Sequence, residues 1–177
     1  LTLAAPPSGG TNLSVASNVN VTISSTVANG GTAIWSTGAG STLTLGGSGL
    51  TGLGIFTWSG GGTNVIAGGL LNPGLLTCSS INVNQTGGTN APSPGIFVGD
   101  GGNGTYTING SSALLKVAGN AGYNLAIGRG SGSTGTLNVQ DGTVLVGSGG
   151  SANVYLGQDN TSVGVLNQSG GVFTVTN

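Results

Sequence analysis

Acid–base or metal chemistry in this chain would have to come from very few side chains. Asp100, Asp141 and Asp159 are its only acids, Lys116 and Arg129 its only bases, and Cys78 its one cysteine, and the 177 residues include no histidine. Polysaccharide cleavage on the flank of a β-structure needs two paired carboxylates, or carboxylates holding a cation. On the repeat described below, Asp100 aligns with Arg129 and Gln158, so Asp100 and Arg129 are expected to stack as an ion pair worth roughly 0–1 kcal/mol. Asp159 lies one step further along the same turn, and Asp141 sits at another corner before Gly142. No two acids are expected to share a strand face.

Other sites fail on composition. Without His, and with one Cys, neither a zinc centre nor a nucleophile–base triad can be assembled. Gly99-Asp100-Gly101-Gly102-Asn103-Gly104 has the look of a calcium-binding turn, but a six- to eight-oxygen shell needs an Asp in successive nine-residue turns, and only one such turn occurs. No Gly-rich stretch runs into Lys-Ser/Thr and a helix, as a phosphate loop requires. A net charge of −1 from five charged residues cannot neutralise a run of phosphates, which argues against nucleic-acid binding. No catalytic residue, cofactor or metal is expected, and the chain reads as a non-enzyme.

What must position any surface chemistry is a repeat. Ile96-Phe97-Val98-Gly99, Leu125-Ala126-Ile127-Gly128 and Val154-Tyr155-Leu156-Gly157 recur at one constant step, so the unit is a 29-residue repeat. Gly135-Thr136-Leu137-Asn138 matches Gly164-Val165-Leu166-Asn167, and Gly142-Thr143-Val144-Leu145-Val146 matches Gly171-Val172-Phe173-Thr174-Val175. The first copy falls short just before Gly104 and recovers its length before Leu115, as turn variation between fixed strands would. Each copy holds three short alternating runs separated by Gly, Ser and Asn. Period-two alternation means strands with one face inward. Ile96 and Val98, Tyr106 and Ile108, and Leu115 and Val117 are assigned inward with their counterparts one and two copies on. Phe97, Ala126, Tyr155, Lys116 and Leu145 are assigned outward. Three such strands in every repeat predict one coil of a parallel β-solenoid, each coil pairing through its backbone with the next.

Residues 11–90 are less regular but of the same material, with alternating runs at Val19–Ile23, Thr42–Leu45, Phe56–Ser59 and Ile81–Asn84 between Gly-rich corners. They are expected to supply about three irregular coils, giving about six in all, with the regular coils in 91–177. Pro92 and Pro94 suggest an outward loop or a joint between the halves. Residues 1–10 read as an N-terminal arm, Leu1-Thr2-Leu3, on a Pro/Gly joint. No helical stripe occurs, and no run approaches the 18 apolar residues of a membrane-spanning helix. The chain lacks Met, so it is expected to be part of a longer product, either processed by removal of an export signal or trimmed.

Phe56-Thr57-Trp58-Ser59-Gly60-Gly61-Gly62 followed by Ile66-Ala67-Gly68-Gly69, and Ile127-Gly128-Arg129-Gly130 leading to Gly135-Thr136-Leu137-Asn138-Val139, resemble bacterial autotransporter-associated β-strand repeats. They are similar also to the solenoid portions of filamentous-haemagglutinin-like surface proteins. The resemblance implies an exported bacterial protein of the cell surface or extracellular matrix, and brings no catalytic residue with it.

The functional expectation is a structural subunit that polymerises head to tail into an extracellular filament or surface layer. Open strand edges at the ends of a stack are templates for more strands, and a chain with almost no charge lacks the repulsion that keeps copies apart. Leu1, Thr2 and Leu3 on the arm, and Phe173, Val175 and Asn177 at the other end, are the candidate assembly residues, with strand exchange between copies as a contributor. The alternative is a stalk or passenger segment of a larger adhesin that binds surface glycans. Seven Asn-x-Ser/Thr triplets occur, of which Asn103 and Asn160, at corners, are the accessible candidates for glycosylation. Thr105/Thr107 and Thr174/Thr176 match the Thr-x-Thr pattern of flat ice-binding solenoids. The first pair becomes Thr136/Asn138 and then Val165/Asn167, so on this register the array lapses after one coil.

Overall fold

The computed structural model describes residues 2–3, 11–29, 31–47, 49–51, 54–118, 124–147 and 152–176. These residues form 22 strands and no helix. The strands make three parallel sheets, and neighbours within a sheet are always three strands apart along the chain, so each circuit of the chain adds one strand to each sheet. That is the expected parallel β-solenoid. Sheet A has eight strands, from Thr2–Leu3 to Val172–Val175; sheet B has seven, from Thr11–Val15 to Val154–Leu156; sheet C has seven, from Asn20–Ile23 to Val163–Gln168.

The stack has about seven coils rather than six, because coil length changes along the chain. Leu125 pairs with Ile96 and with Val154, a 29-residue step each way. Leu76 pairs with Phe56 and with Ile96, a 20-residue step each way. Shorter turns let the N-terminal half fit an additional circuit. The shortfall before Gly104 is taken up in a turn, since Gly104 still lies opposite Gly135 and Leu115 opposite Val144.

Two other expectations are corrected. Thr2 and Leu3 do not form an arm outside the stack; they pair with Ala28 and Asn29 as the first strand of sheet A. A short strand satisfies its backbone groups on the nearest open edge, and Val27–Asn29 offers one. The segment around Pro92 and Pro94 does not separate two halves. Thr89 and Asn90 pair on both sides, with Leu70–Leu71 and Leu114–Leu115, so sheet A runs through without a break and the prolines follow in the turn.

The interior is a column of apolar side chains held in layers by the one-to-one register. Leu115, Val117, Val144 and Val146 are fully buried on sheet A, as are Ile108, Leu137 and Val139 on sheet C and Ile96, Val98, Leu125 and Ile127 on sheet B. In the N-terminal half, Trp35 and Trp58 stack in register, and the Phe56 ring meets both edge-on, at centroid distances of 4.9 and 5.8 Å. In the regular coils the corner at the end of the sheet B strand holds a glycine of positive φ, at Gly99, Gly128 and Gly157. Gly128 has φ of +75°, and a Cβ there would run into the Val163 carbonyl oxygen on the next coil.

One polar cluster interrupts this core. The Tyr106 hydroxyl donates to Oε1 of Gln85 at 2.8 Å and accepts from Nδ2 of Asn90 at 2.8 Å. Gln85 Nε2 in turn donates to the carbonyls of Gly88 and Leu114 at 3.0 and 3.1 Å. Burial pushes the Tyr106 phenol well above its ordinary pKa, against the opposing hydrogen bond from Asn90, so the hydroxyl keeps its proton.

Candidate functional site

The solenoid ends are where the backbone is least satisfied. At the C-terminal end, Val154–Leu156, Val163–Gln168 and Val172–Val175 are each the last strand of their sheet. Their inner edges are tied to the preceding coil, for example Val163 N–H to the Ser133 carbonyl at 2.8 Å and Thr176 N–H to that of Val146 at 2.8 Å. Their outer edges meet no other described strand. The side chains here are apolar and uncovered: Leu156, Val163 and Val172 are each about half exposed, at 52%, 51% and 53%. Leu166 and Phe173 continue the inward columns of Leu137 and Val144, partly buried against the core. Among the described residues, nothing covers the interior of the stack at this end, and three strand edges ring it.

The opposite end is built from Thr2–Leu3, Thr11–Val15 and Asn20–Ile23, the first strands of the same three sheets. Thr2 and Leu3 therefore stand at one end of the eight-stranded sheet A, and Phe173 and Val175 at the other. The structure does not bring these candidate assembly residues together within one chain. Leu1 and Asn177 lie outside the described residues. The sequence reading missed Leu156, Val163 and Val172, which lie on the edge that the repeat alignment itself defines.

No family model, curated protein or solved structure matches the chain.

The ionisable groups form no reactive centre among the described residues. Among the described residues no three His, Cys, Asp or Glu side chains gather and no pocket opens. Asp100 and Arg129 do stack on adjacent strands, with Nη1 to Oδ2 at 3.5 Å. On the next coil, Asp159 Oδ2 accepts from Gly130 N–H at 2.9 Å, so one corner ties three coils together. Partial burial raises the Asp100 pKa, Arg129 opposes the rise, and Asp159 adds to it. The Cys78 thiol is buried and its pKa is driven far up by desolvation, which removes the thiolate that nucleophilic or metal chemistry would need.

Phe97 lies apart from the core cluster that holds Ile96 and Val98, on the outer side of its strand, but it is not open to solvent. It is 2% exposed, and Ala126 beside it is 1% exposed, so the outer face of sheet B is covered in mid-stack. The Arg129 guanidinium lies 4.1 Å above the Phe97 ring. An outward aromatic row for stacking sugars therefore does not form, since of its members only Tyr155 is partly exposed. Asn103, which opens a strand of sheet C instead of lying in a corner, and Asn160, in a turn, are both exposed.

The outer face of sheet C is longer and more regular than the sequence repeat suggested. Its strands pair without a register shift over all seven coils. Thr42 and Thr44 fall in the same two outward columns as Thr105 and Thr107. At the C-terminal end the side chains are linked, Asn167 Nδ2 donating to Asn138 Oδ1 at 3.0 Å and Asn138 Nδ2 to Thr107 Oγ1 at 3.2 Å.

Proposed function

We propose that the chain is a non-catalytic structural solenoid of an exported surface or matrix protein, and that it extends head to tail into a filament. The observation that carries this reading is the pair of strand edges at the two ends of the same three sheets. All pairing in the stack is parallel, so its two ends are unlike and mutually complementary. A first coil laid on a last coil continues the ladders of sheets B and C, Thr11–Val15 of a following copy on Val154–Leu156 and Asn20–Ile23 on Val163–Gln168. Sheet A has one strand more, so Thr2–Leu3 of the following copy gives up its edge of Val27–Asn29 to Val172–Val175. Such a contact is heterologous and does not close on itself, which is the geometry of a fibre. It would also cover Leu156, Val163 and Val172. At about 25 cal/mol per Å² of apolar surface, covering side chains of this size contributes on the order of 1 kcal/mol each, beside the backbone bonds. The near absence of charge leaves little to oppose association.

Negative-stain microscopy of purified protein tests this directly. Uniform filaments a single solenoid wide are expected, and Val172→Lys with Leu156→Lys should leave folded, dispersed rods. Rods that stay monomeric in the unaltered protein across salt and concentration would sink the proposal. They would favour a stalk segment of a larger adhesin.

A further inference from the structure

We infer that the outer face of sheet C binds ice. The two outward columns of this face hold fourteen side chains, of which seven are Thr, five Asn and two Val. None is charged and none is aromatic. The Thr positions, which include Thr42, Thr44, Thr63, Thr105, Thr107 and Thr136, run along most of the stack rather than clustering in one coil.

The spacing is set by the backbone. Strands repeat at roughly 4.8 Å along the solenoid axis, and alternate residues along a strand lie roughly 6.6 Å apart, which gives a rectangular grid. The shorter repeat distance between oxygen atoms on the faces of hexagonal ice falls close to the strand spacing. Sheet C keeps its strands in register over all seven coils, so the two columns run without a break from one coil to the next.

The chemistry of the side chains suits an ordered water layer. Each Thr presents a methyl group and a hydroxyl on a stiff β-branched stem, so it shapes water into an array without binding its own tight hydration shell. Val65 and Val165 keep the same shape without the hydroxyl. The linked Asn167–Asn138–Thr107 chain fixes side chains that would otherwise have to be immobilised on binding. Charged groups, which would hold water in their own arrangement, lie elsewhere: Lys116 is on sheet A, Asp100 and Arg129 end strands of sheet B, and Asp141 and Asp159 lie between strands.

A crystalline polysaccharide is the other extended hydroxyl lattice that a flat face could meet. Sugar rings are gripped by aromatic platforms, and this face has none. Trp35, Trp58, Phe56 and Tyr106 are all turned into the core.

The test uses the whole protein in dilute buffer, with polycrystalline ice as the probe. Grain growth during annealing should be suppressed, and the protein should be drawn into a slowly growing ice front. Thr105→Lys and Thr136→Lys should each abolish both effects, while Thr143→Lys, on the outer face of sheet A, should keep them. Fluorescence of the buried Trp35 and Trp58 reports whether each variant is folded, and Thr42→Lys, several coils away, repeats the test if another variant is not. The inference is overturned if the unaltered protein leaves grain growth unchanged or if the folded sheet C variants act like Thr143→Lys. Binding to cellulose or chitin powder with exclusion from ice would overturn it as well.

Discussion

The Tyr106 hydroxyl and the Gln85 side-chain carbonyl meet at 2.8 Å inside the solenoid, on adjacent strands of sheet C. Gln85 occupies the inward position that Ile108, Val139 and Gln168 fill in the following coils. A lone amide at that point would be costly; the Tyr106 hydroxyl serves its oxygen, and the Gly88 and Leu114 carbonyls serve its nitrogen.

Tyr106→Phe keeps the ring and removes only the hydroxyl. It leaves Gln85 Oε1 and Asn90 Nδ2 each without the partner described, in a site that water does not reach. The expected loss is about 1–3 kcal/mol in urea or guanidinium unfolding. Unchanged stability would mean that the cluster is replaceable by plain packing.

Val144 and Leu145 are neighbours in sequence with opposite orientations, Val144 fully buried between Leu115 and Phe173 and Leu145 facing outward. Val144→Asp should destabilise the fold by roughly 3 kcal/mol or more, because an unpaired carboxylate would sit in the core. Leu145→Asp should cost far less. Equal shifts in melting temperature would overturn the register of sheet A.

Gly128 and Gly132 share a φ of +75°, yet only Gly128 is crowded, since a Cβ at Gly132 would meet nothing within 4 Å. Gly132→Ala therefore carries the backbone strain alone, about 1–3 kcal/mol. Gly128→Ala carries that strain plus a collision with the adjoining coil, and its melting temperature should fall further. The reverse order would contradict the corner geometry.

Acid should not weaken the Asp100 corner. The folded-state pKa of Asp100 is raised by burial above its unfolded value, so its contribution to stability is present at low pH and is lost as pH rises through that raised value. The melting temperature should decline slightly as pH climbs through the upper carboxylate range, and Asp100→Asn should flatten the decline. A decline of the same size in Asp100→Asn would assign it to another group.

Sheets, inward faces and the stacking of Asp100 on Arg129 were legible in the sequence wherever the step from copy to copy held constant, because alternation sets the face and a constant step sets the neighbour. The N-terminal coils were miscounted because their step shortens, as from Phe56 to Leu76 to Ile96, in turns where Gly, Ser and Asn leave no fixed spacing. Phe97 shows a different limit. Alternation puts it on the outer side of its strand, but whether that side is covered depends on groups from other coils, such as the Arg129 guanidinium. The long Thr/Asn face was hidden for the first reason, since Thr42 and Thr44 reach the column of Thr105 and Thr107 only through unequal steps.

The unequal circuits also have a mechanical meaning. In a parallel stack the ladder bonds point along the long axis, so tension on the two ends pulls each rung apart in turn instead of shearing many together. Peeling then proceeds circuit by circuit from an end, each release acting as a small extensible link. A 29-residue circuit frees about 100 Å of chain at full stretch and a 20-residue circuit about 70 Å. Pulled between surfaces, the protein should lengthen in unequal steps, with the longest coming from the C-terminal half.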